Sequence, residues 1–170
     1  MRIRIPLFTA IVTVFMNQAM AQKYTPVHNF SLEKYLGTWY EIARMPFSYE
    51  KDLSRVTATY SMRDDGKVSV VNRGVKPNGK ESVAHGKAKF GGAQDVGYLR
   101  VAFFWCFYAD YTIVELDSAY QYAMVASGSN KYLWILSRKP QLDSVVQRQL
   151  VNSARTLGYD TDKLIMTPQQ

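Results

Sequence analysis

Strand-like segments, one after another at regular spacing and with no helix between them, fill the middle of this chain. They cover residues 37–45, 55–62, 67–75, 82–90, 98–104, 111–117, 120–127 and 132–137. In residues 55–62 the alternation is plain, with Val56, Ala58, Tyr60 and Met62 set against Thr57, Thr59 and Ser61. Turn residues separate the segments: Asp65-Gly66 tolerates the positive φ of a tight hairpin, Pro77-Asn78-Gly79 turns the chain again, and Ser129-Asn130 supplies the last reversal. Such spacing belongs to an all-β barrel or sandwich. After residue 137 the period changes. From Asp143, an N-cap residue, Val146, Leu150, Ala154 and Leu157 recur on one face of a helix that Gly158 ends. A last segment at Leu164-Ile165 can add a further short strand.

Eight antiparallel strands closed on themselves leave an interior that holds one small ligand, and closure removes unpaired sheet edges. The run Tyr132-Leu133-Trp134-Ile135-Leu136 is apolar on both faces, one for the interior and one for the helix. A filled-core sandwich shows the same pattern, so patterning alone leaves both architectures open.

The start of the chain reads as an export leader. Arg2 and Arg4 precede a short apolar run from Pro6 to Met16, and Ala19-Met20-Ala21 is a small-x-small cleavage site. The run is far shorter than the roughly 20 residues that span a bilayer. The expected organisation is a signal peptide over residues 1–21 and a single domain over 22–170, with Gln22 first in the mature chain. The single cysteine, Cys106, excludes an intramolecular disulfide and leaves no cysteine at the cleavage point for lipidation. The mature protein is therefore expected to be soluble in the periplasm or medium, or at the outer membrane. Its basic residues are scattered rather than clustered, which argues against nucleic acid and leaves an anionic lipid surface or plain solubility as reasons for the formal charge of +7.

Three blocks carry a resemblance. They are Gly37-Thr38-Trp39-Tyr40-Glu41-Ile42-Ala43-Arg44, then Asp110-Tyr111 with Glu115-Leu116-Asp117, then Leu136-Ser137-Arg138. In order and spacing the chain resembles the lipocalin family over residues 29–166, and within it the bacterial lipocalins and the apolipoprotein D group. The resemblance implies an up-and-down eight-stranded β-barrel with a C-terminal helix outside, carrying a lipid or fatty acid of the lysophospholipid kind. It also implies that Gly37, Trp39 and Arg138 are fold determinants, with Trp39 plugging the closed end and Arg138 packed across its ring.

Strand parity taken from an inward Trp39 gives an expected lumen. On the earlier strands it comprises Ala58, Tyr60, Val70, Asn72, Ala84 and Ala88. On the later ones it comprises Leu99, Val101, Phe103, Tyr111, Ile113, Met124, Trp134 and Leu136. The set is mostly apolar, with Asn72, Tyr60 and Tyr111 as polar tips and Met124 as adaptable packing. Phe47, Ser48 and Tyr49 begin the loop over the mouth, where Lys51 and Arg55 are placed to meet a phosphate or carboxylate.

Signs of catalysis are missing. His28 and His85 lie far from one another and from acids at metal-ligand spacing, and no nucleophile, phosphate-loop or metalloprotease motif occurs. No cofactor or metal is expected. Cys106, within Phe104-Trp105-Cys106-Phe107, offers a thiol-enzyme alternative, against which its apolar neighbours argue by favouring the inert thiol. The aromatic run Trp105, Phe107 and Tyr108 offers another, a contact surface for a membrane or a second copy of the chain.

Overall fold

The computed structural model describes residues 24–104 and 106–170, so the leader assigned to residues 1–21, the start at Gln22 and the position of Trp105 lie outside the described residues. A one-turn helix, α1 (Leu32–Tyr35), precedes the first strand and is capped by the Ser31 side chain, which accepts from Lys34 N. Strands β1 (Gly37–Arg44), β2 (Ser54–Met62), β3 (Val68–Val75) and β4 (Glu81–Phe90) follow. Then come β5 (Tyr98–Ala102), β6 (Ala109–Leu116), β7 (Tyr122–Ser127), β8 (Ser129–Ser137), helix α2 (Ser144–Thr156) and a two-residue β9 (Ile165–Met166).

Strands β1 to β8 each pair antiparallel with their sequence neighbours, β1 pairs with β8 as well as β2, which closes an eight-stranded barrel, and β9 pairs with β1. Gly66 and Gly79 take φ of +74° and +78° in the two hairpins named from sequence. The β7–β8 reversal differs from expectation. It sits on Gly128 at φ +51°, and Ser129 and Asn130 already belong to β8. Glycine takes that φ without the Cβ penalty other residues meet there.

Near the upper end β1 leaves β2, and the C-terminal segment fills the gap. Thr167 N donates to Ile42 O, Arg55 N donates to Pro168 O, and Gln169 Nε2 donates to both Glu41 O and Val56 O.

Two apolar clusters result. The inner one fills the lower barrel with Phe30, Tyr35, Trp39, Val68, Ala88 and Ile113. The outer one lies between the wall and α2, where Met124, Leu133 and Ile135 meet Leu150 and Ala154. Full burial of Leu150 contributes about 2–3 kcal/mol to docking the helix. Asp143 caps α2 by accepting from Val145 N and Val146 N, and Gly158 ends it at φ +87°. The expected stripe stops short, since Leu157 is 37% exposed.

Trp39 is fully buried at the lower end. Its indole Nε1 donates to Tyr35 O at 2.8 Å, and the Arg138 guanidinium lies 3.9 Å from its ring centroid. The same guanidinium donates to the carbonyls of Lys34, Tyr35, Leu36, Thr38 and Tyr120. Gly37, at φ +95°, lets this approach happen, because a Cβ there would sit 3.3 Å from Arg138 Nη1.

Candidate functional site

Above the inner cluster the barrel holds a cavity of about 340 Å³. Of the expected lumen residues, Ala58, Tyr60, Val70, Asn72, Val101, Phe103, Tyr111, Trp134 and Leu136 line it. The other five do not. Ala88, Leu99 and Ile113 are fully buried, and Ala88 and Ile113 belong to the inner cluster below it, where α1 and the preceding arm bring Phe30 and Tyr35 into the barrel and fill the floor. Ala84 faces Asn72 across the β3–β4 hairpin but is exposed, because β5 pairs with β4 only at residues 87–90 and leaves the upper part of β4 uncovered. Met124 points the opposite way, into the outer cluster. On β8 the inward residues are Trp134 and Leu136, whose partners on β7 are Val125 and Ala123, so Met124 goes outward with its own partner Ile135. A period of two permits no compromise.

Sequence parity missed several wall residues. Val56 and Tyr132 line the cavity two residues from Ala58 and Trp134, so fuller use of the alternation finds them, whereas Ser127 lines it on the face of Val125, which the parity taken from Met124 turned outward. Ala109 and Asp110 open β6, two positions earlier than expected, and also line it. The acidic residues are the larger surprise. Glu41 shares the inward face with Trp39, and Glu50 comes from the loop after β1. Lys51 and Arg55, expected to meet an anionic head, are exposed and do not line the cavity.

Glu41 and Glu50 form a buried ionic group with Arg44, which is 1% exposed and stands behind the wall. Arg44 reaches Glu41 at 3.4 Å and Glu50 at 3.5 Å, and donates to the Glu50 carbonyl. Thr167 Oγ1 donates to Glu41, and Trp134 Nε1 donates to Glu50 Oε2 at 3.1 Å. Burial pushes the Glu41 carboxyl up to about 8, helped by the charge of Glu50 beside it, and burial raises Glu50 as well.

At the cavity floor, Tyr35, Tyr60 and Tyr111 share a chain of hydroxyls at 2.7 and 2.8 Å. Three protons serve two bonds there, so one O–H remains to donate elsewhere. Burial raises all three, Tyr60 to about 12, so the phenols stay neutral. Asn72 Oδ1 is buried in the wall with no hydrogen-bond partner. The site thus offers an apolar body for a chain, hydroxyls below and carboxyls on one side.

Phe47 borders the mouth and packs edge-on against Tyr132 and Trp134. Outside it the aromatics are open to solvent, with Tyr49 70%, Phe104 62% and Phe107 78% exposed. Cys106 is exposed in the same loop, so the apolar shielding expected from its neighbours is not there. Among the described residues no three or more His, Cys, Asp or Glu side chains group to hold a metal.

The lipocalin-like domain model matches residues 30–169, the whole barrel with its helix. The chain belongs to the lipocalin family. It is 40% identical to the outer membrane lipoprotein Blc of Escherichia coli K12, over 97% of each chain. To mouse apolipoprotein D it is 33% identical, over 83% of this chain and 78% of that one. Insecticyanin from the tobacco hornworm matches this lipocalin in fold, with a TM-score of 0.68 at 22% identity over 85% of this chain and 83% of that one.

Proposed function

We propose that this lipocalin is an exported carrier that holds a single-chain lipid, a lysophospholipid or a similar fatty amphiphile, in its lumen. The observation that carries the reading is the walled, mostly apolar cavity of about 340 Å³, which falls in the size range of small-molecule sites. Ala58, Val70, Val101, Phe103 and Leu136 would take the chain. The polar tips on the same wall would orient the head. The leader-like start and the likeness to outer membrane lipoproteins support a place in the bacterial envelope.

The test is a titration with a lysophospholipid, followed by tryptophan fluorescence. Wild type should bind with micromolar or tighter affinity, about −8 kcal/mol or better. Ala58→Trp should weaken binding by occupying chain volume. Equal affinity in that variant would put the ligand outside the lumen.

A second reading has its own support in the exposed aromatic rim of Tyr49, Phe104 and Phe107, beside which Lys89 lies 4.6 Å from the Tyr108 ring. That rim suits contact with a membrane surface or with a second copy of the chain. It becomes the leading site if the lumen proves empty of ligand.

A further inference from the structure

Resting on the lumen reading above, we propose that the lumen selects amphiphiles with an ammonium head, which the Glu41–Glu50 pair accepts. In a chain with a formal charge of +7, the charged residues that line the cavity are Glu41, Glu50 and Asp110, and no Lys, Arg or His among the described residues joins them.

Asp110 is already answered. Tyr98 Oη donates to it at 2.8 Å, and Arg100 lies 3.4 Å away. Glu41 and Glu50 are not answered in full, because two carboxyls share the one guanidinium of Arg44, which stands behind them rather than in the lumen. Aromatic faces complete the site. Phe47, Tyr132 and Trp134 line the same side of the cavity as Glu50, and cations bind favourably over such rings. Asn72 Oδ1, buried in the wall without a partner, is a further acceptor for an N–H or O–H donor. A free carboxylate or a bare phosphate meets the opposite situation. It would enter a low-dielectric space next to two acids, with the nearest cations screened or turned outward.

The groups around Glu41 define its proton. Arg44 faces it from β1, Glu50 from the following loop and Thr167 from the C-terminal segment, with the Tyr60 phenol lining the same cavity from the neighbouring β2. With Glu41 held up to about 8, its carboxyl keeps its proton at pH 7 when the site is empty. An entering ammonium takes the place of that proton, which leaves to solvent, while the ammonium keeps its own protons and pairs with the resulting carboxylate. Binding of an ammonium head therefore releases protons, and binding of an uncharged head does not.

Three probes with one chain length separate the cases: dodecylammonium, dodecanol and dodecanoate, titrated calorimetrically into the wild-type protein at pH 7 in two buffers of different ionisation enthalpy. Dodecylammonium should bind at least about 10-fold more tightly than dodecanoate and release close to one proton, whereas dodecanol should release none. Glu50→Gln and Glu41→Gln should each bring the ammonium-to-carboxylate ratio down towards one. Dodecanoate binding as tightly as dodecylammonium in wild type would overturn the inference and leave the lumen reading intact. A head-group preference unchanged in both variants would overturn it too. If none of the three probes bound, the lumen reading itself would fail, and the inference with it.

Discussion

Glu41 makes stability depend on pH in an unusual direction, and Glu41→Gln should weaken that dependence. The carboxyl is 3% exposed and sits at about 8 in the fold, against an ordinary value near 4.5. Below about 4.5 the group is protonated in both states, so its contribution is complete. Between about 4.5 and 8 the unfolded chain has lost this proton and the folded chain keeps it. Stability then falls as pH rises, by at most about 1.4 kcal/mol per unit, and levels off above the folded value. From pH 5.5 to 7.0 that amounts to roughly 2 kcal/mol. Glu50, raised by the same burial, adds to the fall in the same sense. Gln keeps an oxygen to accept from Thr167 and has no proton to lose. Urea midpoints followed by circular dichroism from pH 5 to 8 should therefore converge: the wild type loses stability along the series, and Glu41→Gln loses distinctly less. Parallel curves for the two proteins would refute the assignment of a buried, protonated Glu41.

Trp39→Ala should cost about 3–5 kcal/mol as a large-to-small change at a fully buried site. Arg138→Ala should cost roughly as much, because five main-chain carbonyls lose a charged donor; Arg138→Lys should restore only a minor part, and denaturant midpoints measure both. Met124→Ala should destabilise by about 2–5 kcal/mol yet leave lysophospholipid affinity unchanged, since the side chain faces α2. N-terminal sequencing and intact mass of protein from the periplasm or medium should give Gln22 first with no acyl chain, and a retained Met1 or a lipidated residue would contradict that.

The barrel was legible because its determinants are local: alternation in β2, glycines at 66 and 79, and the Asp143 cap are all short-range signals. Trp39 and Arg138 are 99 positions apart, yet a family pattern links them where physics on the sequence alone would not. The lumen was legible on β2, β3 and β8, where the expected parity holds. It failed on β7, where Met124 could be placed only by knowing its partner on β8. It failed again at the floor, because the four-residue helix that brings in Tyr35 has too little periodicity to be seen. Glu50 was invisible for a different reason. A glutamate in a loop reads as solvated, and only the approach of Arg44 and Trp134 makes it a buried wall residue.

The central claim is that a lipid chain occupies the cavity beside Trp134. Its most direct test uses a lysophospholipid brominated along its chain, titrated into Trp105→Phe protein so that Trp39 and Trp134 remain. Bromine quenches indole at short range, and Trp134 lines the cavity while Trp39 lies beneath its floor. Quenching should saturate at one lipid per protein, and Trp134→Phe in the same background should abolish most of it. Saturation with the quenching unchanged in Trp134→Phe, or no saturable quenching at all, would contradict the account.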